Sequence, residues 1–183
     1  MTRSEDETGQ MTTEKSAGAE RLAGALYEEL RTAAHREFRR AGSPQTWQTT
    51  AIINETWMKL HARDDWESRE HFVRTASTTM RHIMIDAARA RLAERRGGGA
   101  QRLPIEAAAQ VADGIDDQML VHLGDTLTEL AELDPELARI VDCRFFAGLT
   151  EPEVAQVLGM SERTVRRRWA QARAWIHSEL LSS

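Results

Sequence analysis

The sequence predicts an all-α fold: two small helical domains joined by a flexible linker, the second ending in a helix-turn-helix. Apolar residues recur at three- and four-residue spacing, and no segment alternates with the two-residue period of a strand. Residues that cap helices stand just ahead of those apolar runs. Gly97-Gly98-Gly99 and the mildly acidic stretch after it split the runs into two blocks. The 183 residues therefore divide into a polar tail at 1–18, a domain at 19–96, a linker at 97–118 and a domain at 119–183.

The tail is polar and expected to be disordered. The first expected helix runs from about Ala19 to Arg40, with Leu22, Leu26, Leu30, Ala33 and Phe38 on one side. Gly42-Ser43-Pro44 ends it. A second covers roughly Thr50–Ala62, with Ile53, Trp57 and Leu60 on a common face. His61–Ser68 forms a short acidic loop containing Trp66. Ser68 can cap a long third helix with the stripe Phe72, Val73, Ala76, Met80, Ile83 and Ala87. Past Ala88 that stripe gives way to Arg89, Arg91, Arg95 and Arg96.

Ile105–Val111 can form a helical turn inside the linker. The second block opens near Gln118, with Leu123, Leu127 and Leu130 marking an amphipathic helix. Asp134-Pro135 is an N-cap followed by a first-turn proline, and opens a helix through Phe146. Gly148 ends it.

Thr150–Trp175 is the most informative stretch. Thr150 and Glu153 make a capping box, with Pro152 in the first turn, where a missing N–H costs little. Gly159 permits a turn and Ser161 caps the next helix. There Val165, Trp169, Ala172 and Ile176 form one buried stripe. Arg163, Arg166 and Arg167 point away from it near the helix N-terminus, where a recognition helix meets base edges and phosphates. The alternative is an ordinary helical hairpin with a solvated arginine face.

The net charge of −5 argues against a non-specific DNA coater, but the charges are unevenly placed. Residues 19–96 hold 14 Lys/Arg against 11 Asp/Glu, whereas residues 97–118 hold one against four. Residues 119–183 hold seven against ten, yet five of those seven lie between Arg163 and Arg173. Local basic faces on an acidic body suit a protein that meets DNA at limited patches and also meets another large partner.

No catalytic constellation is legible. None of the six histidines pairs with another at i+3 or i+4, and no phosphate loop follows a strand. Asp64, Asp65, Glu67 and Glu70 have no metal-ligand spacing, so no metal and no cofactor is expected. Cys143 is the sole cysteine and reads as a small core residue, consistent with a reducing cytoplasm. No apolar run approaches the ~20 residues that span a bilayer.

Residues 20–180 resemble the extracytoplasmic-function sigma factors of bacterial RNA polymerase. DPELARIVDCRFFAGLTEPEVAQVLGMSERTVRRRWAQARA is similar to the promoter-reading domain of that family. AIINETWMKLHA resembles the helix that grips the polymerase clamp, and RHIMIDAARARLAERR the segment that melts and holds the −10 element. Asp86 and Arg89 match an Asp-x-x-Arg pattern there. Ala51 and His82 depart from the Asp and Asn that the family often carries, which leaves base preference at His82 open.

The resemblance implies a non-enzymatic specificity subunit with three sets of site residues. Asn54, Glu55, Trp57 and Met58 would meet core polymerase. Trp66, Arg81, His82, Asp86 and Arg89 would meet the opened −10 strand, held by stacking and phosphate contact. Trp66 either stacks on a base or covers the core. Ser161, Glu162, Arg163, Thr164, Arg166, Arg167 and Arg168 would meet the −35 element. Implied partners are the clamp and flap of core RNA polymerase, promoter DNA and an anti-sigma factor. The acidic linker would thread the RNA channel. The rival reading is a free-standing dimeric helix-turn-helix regulator, which would require symmetric half-sites.

Overall fold

The computed structural model describes residues 46–61, 66–96 and 116–182. The expected tail, the Ala19–Arg40 helix and the turn at Ile105–Val111 lie outside the described residues. The described residues are helical and contain no strand.

Helix α1 spans Thr46–Leu60, beginning earlier than Thr50 because nothing after Pro44 breaks it. Helix α2 spans Arg69–Arg95, roughly 40 Å at 1.5 Å per residue. Its start is fixed by Ser68, whose extended backbone stops the helix and whose Oγ accepts from the His71 amide at 3.1 Å.

Helix α3 spans Asp117–Leu133 and α4 spans Pro135–Val141. Between them Asp134 Oδ1 accepts from the Glu136 and Leu137 amides, each at 3.1 Å. The sequence reads as one helix continuing through Phe146. Instead α4 widens into a π-helical turn at Asp142–Phe146. The wider turn lets Asp142, Cys143 and Phe146 all be buried. Leu149 N–H donating to Cys143 O at 2.9 Å and Arg144 Nη1 to Leu149 O at 2.7 Å close its end.

Helix α5 spans Glu151–Leu158 and α6 spans Glu162–Ser182. The Thr150 amide and hydroxyl both donate to Glu153 Oε2, at 2.6 and 2.7 Å. Gly159 takes φ +66°, the left-handed conformation. Its N–H reaches Gln156 O while the Met160 N–H reaches Ala155 O, a Schellman ending that turns the chain into α6.

The apolar side chains of the two blocks form one continuous core, from Ile53, Phe72 and Met80 to Leu127, Ile140, Val154, Val165 and Ala172. Helix α2 is buried on two sides. Phe72, Ala76, Met80, Ile83 and Ala87 line one; Ser77, Arg81, Ile85 and Ala88 line the other. On the second side α2 crosses α3 closely: a Cβ on Gly124 would lie 2.5 Å from Ile85 Cδ1. Arg74 Nη1 also donates to Val157 O of α5, at 3.3 Å. Among the described residues no helix is long and apolar enough to cross a membrane.

Candidate nucleic-acid interface

The N-terminal turns of α6 carry the first candidate surface. Ser161 Oγ accepts from the Thr164 amide at 3.1 Å, capping the helix, and bonds the Thr164 hydroxyl at 2.8 Å. Val165 and Ala172 are fully buried, with Trp169 and Ile176 packed partly against the core. That burial fixes the helix's rotation and sends Glu162, Arg163 and Arg167 into solvent.

Two arginines expected on this surface are held by the protein itself. Arg166 Nε donates to Glu151 Oε2 at 3.0 Å but stays exposed. Arg168 bonds Asp134 at 2.7 Å and Glu136 at 2.5 Å, tying α6 to the start of α4. Hydrogen bonds from the Leu137 amide and Arg168 outweigh Asp134's partial burial and hold its carboxyl below the usual range. Arg144 stacks over the Trp169 ring, 5.5 Å from its centroid, bracing the same helix.

Helix α2 carries the second candidate surface, and only part of it is open. His82, Asp86 and Arg89 are exposed. Asp86 lies 3.6 Å from Arg89, one turn on. Partial burial, helped by neighbouring Arg81, lowers the His82 pKa. Arg81 was expected to face phosphates, but it is buried with its Nη1 3.3 Å from Asp142 Oδ1. The reason is its position on the second buried side of α2, in register with Ser77 and Ile85. Trp66 is half-buried, edge-on to Phe72 at 4.9 Å and His71 at 5.5 Å. In this arrangement it covers the core.

Acidic side chains from the second block face the α2 arginines. Asp142 accepts from the Thr78 hydroxyl at 2.8 Å as well as pairing with Arg81. Burial pushes its carboxyl up to about 6 despite Arg81 and Thr78, which favour the charged form. Asp117, 1% exposed, is bonded by Arg91 at 2.6 Å and by Arg95. Arg89 donates to Asp125 at 2.8 Å. Next to Asp142, burial pushes the Cys143 thiol up to about 12, so this cysteine is unreactive packing.

Helix α1 carries a third surface. Ile53, Thr56 and Leu60 are buried, which leaves Asn54 and Met58 exposed and Glu55 and Trp57 partly so. Met58 is 64% exposed, a large apolar side chain in water. Trp57 stacks on His61 at 6.2 Å with its ring partly packed on the core. Lys59 and Glu55 are 4.0 Å apart at the edge of this surface.

The family model for the ECF sigma factor matches residues 10–182, almost the whole chain. The chain belongs to the ECF sigma factor family. Comparison with curated proteins found no match, and comparison with solved structures found none. An ECF sigma factor acts in transcription initiation and binds core RNA polymerase and promoter DNA.

Proposed function

We propose that this sigma factor reads the −35 element with the first two turns of α6. It holds the opened −10 strand on the exposed side of α2 and grips the polymerase clamp with α1. The observation that carries this is the sorting of arginines on α6. Arg168 is committed to Asp134 and Glu136, while Arg163 and Arg167 stand free of the core. Arg163, Arg167 and Glu162 take the major groove; Ser161, Thr164 and Arg166 lie beside them toward the phosphates.

On α2, His82, Asp86 and Arg89 form the contact with single-stranded DNA, joined by Arg81 when it leaves Asp142. Asn54, Glu55, Trp57 and Met58 supply the clamp contact, and the second block meets the flap. In the working complex residues 19–96 and 119–183 act as separate units on either side of the linker, and the protein acts in the cytoplasm. The partly apolar surface at Met58 also suits an anti-sigma factor that competes with the clamp.

The test is run-off transcription with purified core polymerase on genomic fragments, with and without this protein. Discrete transcripts from bipartite sites with two unlike halves are expected. Symmetric protected sites without core polymerase would instead identify a dimeric regulator.

A further inference from the structure

We propose that the cleft between α2, α4 and the end of α5 is a nucleotide site, in which Arg74 and Arg139 take the phosphates and Thr75 and Thr79 the sugar. The cleft encloses about 660 Å³. Small-molecule sites usually enclose roughly 300–1,000 Å³. Its α2 wall is polar where a filled interface would be apolar. His71, Thr75, Thr78 and His82 recur at four, three and four residues and all line it, a row on one side of the helix with no apolar member.

The charges in the cleft do not cancel. Both of its carboxylates are committed. Asp142 pairs with Arg81 at 3.3 Å and accepts from Thr78, and Glu136 lies 2.5 Å from Arg168. Its two guanidiniums are not matched in the same way. Arg74 donates to the neutral Val157 carbonyl at 3.3 Å, and Arg139 is exposed. Neither has a carboxylate within ion-pair distance among the described residues. A guanidinium carries five N–H donors, so both retain donors for an anion, and phosphate is the anion such forks hold best. Thr75 Oγ1 donates to His71 O and Thr79 Oγ1 to Thr75 O, each at 2.9 Å. Those protons are spent on the helix, so toward the cleft the two oxygens can only accept. They suit a ligand's hydroxyls and offer nothing to a phosphate oxygen. Leu158 and Met160 supply an apolar wall, and a thioether is a soft, adaptable surface for a ring. A molecule that brings phosphate to guanidiniums, hydroxyls to threonine oxygens and a flat ring to methionine is a nucleotide.

Calorimetric titration of the full chain, in buffer free of magnesium and phosphate, compares ADP, inorganic pyrophosphate and adenosine. ADP should bind, pyrophosphate should bind more weakly, and adenosine should give no measurable heat. ADP should also raise the thermal midpoint, because a ligand of the folded state stabilises it. Arg74→Gln and Arg139→Gln should each weaken ADP about tenfold, the loss expected for one charged hydrogen-bond partner. Thr75→Val with Thr79→Val should weaken ADP and leave pyrophosphate unchanged. Arg173→Gln, exposed on α6 outside the cleft, removes the same charge as either arginine variant and should match wild type. Circular dichroism checks the helices of each variant.

Neither heat nor a thermal shift with ADP at about 5 mM, weaker than any affinity a built site would show, overturns the proposal. Equal losses in Arg139→Gln and Arg173→Gln would reduce the effect to diffuse attraction of anions and overturn it too. Pyrophosphate binding as tightly as ADP, or ADP binding unchanged in the double valine variant, would leave an anion site only and overturn the nucleotide assignment. If Arg74→Gln fails to fold for want of its bond to Val157, Arg139→Gln against Arg173→Gln decides alone.

Discussion

Arg168 Nη1 donates a 2.7 Å hydrogen bond to Asp134 Oδ2, while Asp134 Oδ1 caps α4 through the Glu136 and Leu137 amides. One carboxylate therefore starts one helix and anchors another. Asp134→Ala should cost about 1–2 kcal/mol, most of it the lost cap, since a partly exposed ion pair adds under ~1 kcal/mol. Urea denaturation measures it. Arg168→Ala should lose only the ion-pair share and lower DNA affinity without altering base preference.

Arg163→Ala and Arg167→Ala should behave in the opposite way. Both side chains are exposed, so the urea midpoint should stay within ~0.5 kcal/mol of wild type. Sequence preference should relax at one or two −35 base pairs, by ~1–3 kcal/mol of discrimination. A randomised −35 library bound by the holoenzyme reads this directly. Uniform weakening across the library would mark both as phosphate contacts.

Glu55→Arg should weaken capture of core polymerase and leave helicity unchanged, because Glu55 is only partly covered on α1. Met58→Ala tests the apolar half of the same contact. At a hot spot it would cost ~2 kcal/mol or more in core affinity, and little in stability. Titration of labelled core separates the two effects.

Asp142 gives the fold a defined pH dependence. Burial raises its folded pKa to about 6 from an ordinary carboxylate value of 3.8. The packed state therefore favours the proton, so this contribution to stability is full below about 4 and is lost as pH rises through 6. The span corresponds to ~3 kcal/mol at most, at about 1.4 kcal/mol per pKa unit. Asp142→Asn leaves Arg81 without its charge partner at every pH, a constant cost. The stability of the variant relative to wild type should therefore rise between pH 4 and pH 7. A flat difference in urea titrations across that range would contradict the assignment.

Gly159 has open space where a Cβ would go but a φ of +66°. Gly159→Ala should cost about 1 kcal/mol through backbone strain alone, with no change in packing. A shift in the urea midpoint without a change in slope is the expected signature.

Local signals in the sequence located most of the described helices. Ser68, Asp134, Thr150–Glu153 and Ser161 were readable as caps because a cap needs only residues within one turn. The arginine pairings were not readable, because Arg81 and Asp142 or Arg91 and Asp117 meet only through tertiary packing. The second buried side of α2 left a trace. Ser77, Arg81, Ile85 and Ala88 recur at four, four and three residues, but an arginine in the row disguises it as a polar face. The π-helical turn left none, since DCRFF continues a helical pattern.

The crossing of Ile85 over Gly124 also sets an order of events during synthesis. The two positions are 39 residues apart (124 minus 85), so at ~5–20 residues per second the ribosome needs about 2–8 seconds to travel between them. For that interval the nascent α2 has its Ile85 side bare, because α3, which begins at Asp117, is made only at the end of it. The covered form is the later product of translation, and the open surface comes first.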